Sequence, residues 1–115
     1  MMLSRKKCLP CLKATPILEE KELHALHEEL GETWMLVNNK NLEKSYSFKN
    51  FKQALAFVNT IAEVAEEEKH HPDLTLSWGK VTVQLSTHAI GGLSKNDFIL
   101  AAKIDVLYIS KTGHD

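Results

Sequence analysis

The chain has 115 residues, 43% hydrophobic and 25% charged, with a formal net charge of −1. That is the composition of one soluble globular domain, and it excludes wholesale disorder and collagen-like structure. Near-neutral charge gives no electrostatic footprint for nucleic acid, and the longest apolar run, Ala54–Val58, falls far short of the ~20 residues that span a bilayer.

Residues 1–13 carry Arg5, Lys6, Lys7 and Lys13 and no acid. A secretion signal also needs an apolar stretch of ~7–15 residues, and Cys8-Leu9-Pro10-Cys11-Leu12 is too short and is broken by proline. The expectation is a flexible arm over 1–16, a domain over 17–115, and a cytoplasmic protein. Cys8 and Cys11 form a lone C-x-x-C without further ligands at zinc-knuckle spacing and without the strand and helix that flank a thioredoxin-like site. They read as exposed thiols, with a shared metal site as the other option.

Leu23, Leu26, His27 and Leu30 recur at helical spacing and predict a first helix over Glu19–Leu30, stopped by Gly31. Trp34–Val37 predicts a strand, Asn38–Asn41 a turn, and Leu42–Phe48 a second strand with Leu42, Lys44, Tyr46 and Phe48 on one side. Asn50 and Gln53 form a capping box for a second helix. Its stripe is Phe51, Ala54, Leu55, Val58, Ile61, Ala62 and Ala65, with Phe57 and Val64 outside, and it should end near Lys69 or His70 because Pro72 disfavours helix at His71. Period-two alternation predicts strands over Leu74–Trp78 and Val81–Leu85, turning near Gly79-Lys80, with Trp78 in the core. Ser94 and Asp97 resemble a capping box that opens a last helix over about Lys95–Ile109. The last two helices are apolar on two sides, which points to burial against a second subunit. The order α-β-β-α-β-β-α predicts an α+β fold: a four-stranded antiparallel sheet with three helices on one face.

His70, His71 and His88 are the candidates for chemistry. His70 stands four residues after Glu66, the spacing of neighbours on a helix surface. The carboxylate and the negative end of the helix dipole both favour the imidazolium, which suits a general acid. Pro72 turns His71 a different way, and Asp73 can orient one of the rings. On pattern alone, a His-His pair at a helix end reads first as a solvated cap. Three imidazoles can also bind zinc, although there is no H-x-x-x-H pair. Gly91-Gly92 before a helix reads as a turn needing positive φ, or as a place where backbone N–H groups meet an anion or a pterin-like ring.

The segment Glu66–Ala101 carries E-E-E-K-H-H-P, two strands closing in T-H, then G-L-S and an aspartate before the last helix. With Trp34, Phe48, Phe51, Ala54 and Phe57, it resembles the pterin-4a-carbinolamine dehydratase family over residues 17–109. The resemblance implies dehydration of a 4a-hydroxytetrahydropterin to the quinonoid dihydropterin, recycling the cofactor of an aromatic amino acid hydroxylase. It implies no metal and no organic cofactor, no nucleic acid or membrane partner, and self-association to a dimer or tetramer. It implies catalytic roles for His70, His71, His88 and Glu66, and a pocket wall of Pro72, Asp73, Trp78 and Thr87. Ala89-Ile90 replace the Glu-Cys of some members. A non-catalytic assembly module on the same scaffold, a role in molybdopterin metabolism and a metal-dependent hydrolase are the competing readings.

Overall fold

The computed structural model describes residues 3–5, 18–31, 33–87 and 90–112. The elements are α1 (Glu20–Leu30), β1 (Met35–Val37), β2 (Asn41–Ser47), α2 (Phe51–Glu68), β3 (Asp73–Ser77), β4 (Lys80–Leu85) and α3 (Lys95–Thr112). This is the α-β-β-α-β-β-α order, and the four strands form one antiparallel sheet in the order β1-β2-β4-β3. Two sequence-adjacent hairpins are joined through the β2–β4 pair, in register from Leu42 with Leu85 to Ser47 with Lys80.

Strand alternation decides which face is covered. Leu42, Tyr46, Val81, Val83 and Leu85 are buried beneath the helices, and Leu74 and Leu76 pack at the margin of the same core. The opposite face is polar. There Ser45 pairs with Thr82 at 3.0 Å, and the Gln84 amide donates to Glu43 at 2.6 Å. Lys44 falls on the helix side by the same alternation. Its Nζ donates to Asp105 of α3 at 2.6 Å and to Thr33 at 3.0 Å, and sits 4.8 Å from the centroid of Tyr46. Asp105 also accepts from Tyr46 Oη at 2.6 Å and from Trp34 Nε1 at 2.9 Å. One carboxylate thus ties α3 to the start of β1 and to β2. The Tyr46 phenol is pushed far up, first by burial and then by Asp105.

The capping expectations hold in half of each box. Asn50 Oδ1 accepts from Gln53 N at 2.8 Å, but the Gln53 side chain reaches back to Lys49 N at 3.3 Å, one residue upstream of the cap. At α3 the Asp97 carboxylate accepts from Ser94 N at 2.9 Å, while Asp97 N donates to the Ser94 carbonyl at 3.1 Å and the Ser94 hydroxyl pairs with Thr87 Oγ1.

Helix α2 is rotated from its expected stripe. Ala54, Phe57, Ile61 and Ala65 are buried, whereas Phe51 and Leu55 are exposed. A helix apolar on several sides leaves its inward side to packing, and the largest ring wins. Phe57 meets Tyr46 at 5.0 Å, Phe48 at 5.1 Å and Tyr108 at 5.8 Å between centroids. In α3, Phe98–Ala101 are all buried, whereas Val106 and Ile109 are exposed further along. Trp78 is not in the core. Ser77 pairs with Lys80, so Trp78 and Gly79 form the two-residue turn and the indole is 69% exposed. At Gly79 a Cβ would lie 3.0 Å from the Phe48 carbonyl oxygen, which explains the residue there. Ahead of α1, a single 3-10 turn, Leu3–Arg5, packs against α3 and places Leu3 in the core. Cys8, Cys11 and His114 lie outside the described residues.

Candidate active site

The end of α2 sets the site. Lys69 adopts the left-handed conformation (φ 56°, ψ 36°), and the His70 N–H donates back to the Ala65 carbonyl at 3.1 Å. This six-residue closure is the Schellman pattern, in which the residue after the left-handed one packs against the buried side of the helix. His70 therefore turns inward. Its side chain is 7% exposed, and its Nε2 lies 2.6 Å from Oδ1 of Asp97, which is fully buried. The other Asp97 oxygen accepts from Thr87 Oγ1 at 2.7 Å and from Ser94 N at 2.9 Å. Thr87 Oγ1 and Ser94 Oγ are 2.8 Å apart. A carboxylate can be buried here because three donors, and the N-terminal end of α3, compensate for lost water.

Thr87 reaches this cluster through a short loop. Its N–H donates to the Gly92 carbonyl at 2.7 Å, and its carbonyl accepts from Ile90 N at 3.1 Å. Gly91 has φ of 66°, so the turn reading of Gly91-Gly92 holds.

The expected Glu66–His70 pair is not formed. Glu66 Oε2 is instead hydrogen-bonded to His71 Nε2, and both side chains are mostly exposed. The i,i+4 relation presumes helix up to residue 70, whereas the left-handed Lys69 sends His70 inward and leaves extended His71 beside the last turn. The two adjacent imidazoles thus face different surroundings, one buried against a carboxylate and one at the surface. Pro72 is half-buried beside them, and Asp73 is exposed at the start of β3. Trp78 does not join the group within this chain. It stands on the turn at the opposite end of β3, roughly 17 Å along a five-residue strand. His88 lies outside the described residues. His27 Nε2 meets the Trp34 carbonyl at 2.6 Å, and exposed His24 stands 3.7 Å from Glu20.

Asp97 is the site-region residue that the sequence placed in a helix cap and in the family signature, without a role at the histidines. Its S-x-x-D spacing signals a helix start, and nothing local marks it as a histidine partner 27 residues away. A cavity of about 370 Å³ between α2 and α3, lined by Glu67, Glu68, Lys103 and Val106 among others, includes none of the predicted site residues. Among the described residues no group of three or more His, Cys, Asp or Glu side chains has metal-binding geometry, and no helix is long and apolar enough to cross a membrane.

Comparison with known proteins shows the family. A family model described as pterin 4 alpha carbinolamine dehydratase matches residues 16–107. A relative from Alkaliphilus metalliredigens is 50% identical over 103 residues, 90% of this chain and 93% of its own. One from Rickettsia bellii is 51% identical over 105 residues, 91% of this chain and 93% of its own. Both are provisionally named pterin-4-alpha-carbinolamine dehydratases. Among solved structures, a transcriptional coactivator/pterin dehydratase from Brucella melitensis superposes with a TM-score of 0.73 at 28% identity, covering 80% of this chain and 98% of its own. A pterin dehydratase-like RuBisCO assembly factor of the alpha-carboxysome shares the fold, with a TM-score of 0.58 at 23% identity over 69% of this chain and 93% of its own. With the matched region running from before α1 through most of α3, the chain belongs to the pterin 4 alpha carbinolamine dehydratase family.

Proposed function

We propose that this protein dehydrates a 4a-hydroxytetrahydropterin to the quinonoid dihydropterin. The observation that carries the reading is the buried His70–Asp97 contact at 2.6 Å, at the H-H-P turn of a chain that belongs to this family. Breaking the C4a–O bond requires a proton on the departing oxygen. The N5 lone pair assists departure, and N5–H then gives up its proton. Water leaves, no net proton is consumed, and the ring is left as the quinonoid dihydropterin. His70 is our choice for protonating the 4a-hydroxyl, with His88 exchanging the second proton. His71, held by Glu66, positions the substrate at the mouth, and Pro72, Asp73 and Thr87 shape the wall. Trp78 would reach a pocket only from another subunit. General acid–base help of this kind is worth ~10²–10⁴-fold.

The reading includes recycling of the pterin cofactor of an aromatic amino acid hydroxylase, in the cytoplasm, without metal or organic cofactor. It also includes self-association, which the exposed Phe51, Leu55, Val106 and Ile109 on α2 and α3 favour. Those same side chains favour the second reading, a non-catalytic assembly module.

The test generates the carbinolamine with a hydroxylase and follows its dehydration. Wild type should accelerate it, and His70→Ala and His88→Ala should each lose ~10²–10⁴-fold. His71→Ala should chiefly raise KM, and a chelator should leave the rate unchanged. A wild-type rate equal to that in buffer refutes the enzyme reading in favour of the module.

A further inference from the structure

We infer that the N-terminal turn Leu3–Arg5 is a clamp on the last turn of α2, with Leu3 as its anchor and Arg5 as its charge, and that it thereby positions His70 and His71. The positioning role rests on the function proposed above; the clamp does not.

Helix α2 ends against its own dipole. Its last turn holds Glu66, Glu67 and Glu68 and no cation, and carboxylates at the negative end of a helix loosen it. The exposed cap Lys69 follows, in a left-handed conformation that itself costs free energy. Glu66 is taken up by His71. Glu67 and Glu68 line the cavity between α2 and α3, and the cations that line it with them are Lys103 of α3 and Arg5 of the N-terminal turn. Among the described residues, the acids around this cavity all belong to α2 and the bases to the two elements opposite. Lys103 Nζ stands 3.9 Å from Glu68 Oε2, and the Glu68 side chain is only 7% exposed, so water screens their attraction poorly.

Arg5 is held at the cavity by its neighbour. Leu3 is 4% exposed within the core, and the turn packs on α3. An exposed arginine on a free chain end would spend its attraction on ordering itself. On a turn anchored by a buried leucine, its charge is already in place. Lys69 and His70 directly follow Glu68. If the last turn frays, the Ala65 carbonyl that accepts from the His70 N–H is lost, and with it the closure that sends His70 inward and leaves His71 beside Glu66. Leu3 and Arg5 are positioning residues, since they act through this turn. They lie outside the family-matched residues 16–107.

The test is amide hydrogen exchange by NMR on the full chain. In Leu3→Asp, the Glu67–His70 amides should exchange about ten-fold faster or more, and those of Val81 and Val83 less than about three-fold faster; Leu3→Met should match wild type. Arg5→Glu changes an exposed side chain and should show the same local speeding, with a difference from wild type that shrinks in about 0.5 M salt. In the dehydration assay, Leu3→Asp and Arg5→Glu should raise KM about three-fold or more with kcat within about two-fold, because binding must then order the turn. Unchanged exchange at Glu67–His70 in folded Leu3→Asp, or speeding spread evenly over the sheet, overturns the clamp. If Leu3→Asp does not fold, Arg5→Glu decides by the same comparison. Local speeding with unchanged KM in an active enzyme overturns the positioning role. Local speeding in the variants, beside a wild type that fails to accelerate dehydration, upholds the clamp and refutes the proposed function instead.

Discussion

Replacing Asp105 with alanine removes one carboxylate and takes the acceptor from three donors at once. Trp34 Nε1 and Tyr46 Oη lie 2.9 and 2.6 Å from it, on side chains that are 0% and 2% exposed. Water cannot readily replace the lost acceptor there, so each orphaned donor costs about 1–3 kcal/mol. Lys44 is the lesser term. Its head is partly solvated and keeps Thr33 Oγ1 and the aromatic faces of Tyr46 and Trp34, so its lost ion pair is worth about 1 kcal/mol. The sum is about 3–7 kcal/mol, a large share of the roughly 5–15 kcal/mol that holds a domain together. Asp105→Asn keeps an acceptor oxygen without the charge and should lose about half as much. Urea unfolding followed by tryptophan fluorescence, at one fixed protein concentration, measures this. With a slope of about 1–2 kcal/mol per molar, the Asp105→Ala midpoint should fall by about 1.5 M or more. A loss under about 0.5 kcal/mol would refute the reasoning, because it would mean that solvent satisfies both rings.

The same cluster predicts an alkaline response. Burial and Asp105 raise the Tyr46 phenol above its unfolded value, so its contribution to stability is complete below pH ~10 and is lost as pH rises beyond it. In a Tyr108→Phe background, tyrosinate absorbance from Tyr46 should appear together with unfolding; ionisation in the folded protein would contradict this. Lys69 adopts a left-handed conformation that costs a non-glycine residue about 1 kcal/mol, so Lys69→Gly should raise the melting temperature by about 2–5 °C, and a lowered one would argue against the turn. Gly79→Ala places a Cβ 3.0 Å from a backbone oxygen and should cost about 1–3 kcal/mol in urea unfolding; a neutral effect would count against that close approach.

The element order, both hairpins, the caps at Asn50 and Ser94 and the sidedness of β2 were legible in the amino-acid sequence. Each depends on periodicity or on a side chain reaching its own neighbours. Lys44 was assigned to the same side as Leu42 and Tyr46 by alternation alone, and it lies there. Tertiary structure decided what periodicity leaves degenerate. Helix α2 offers more than one apolar side, and the fit of Phe57 among Tyr46, Phe48 and Tyr108 chose among them. Alternation carried Trp78 into the core on paper, yet the hairpin turns one residue early and leaves it in solvent. The candidate site divides the same way. Its histidines were named from the H-H-P and T-H segments, but their partners were not. Helical spacing put Glu66 beside His70; one left-handed residue redirected the chain and gave Glu66 to His71 and Asp97 to His70. A carboxylate 27 residues away, or 61 and 71 away in the Asp105 cluster, is brought into reach only when helices and sheet pack, because no local rule spans those separations.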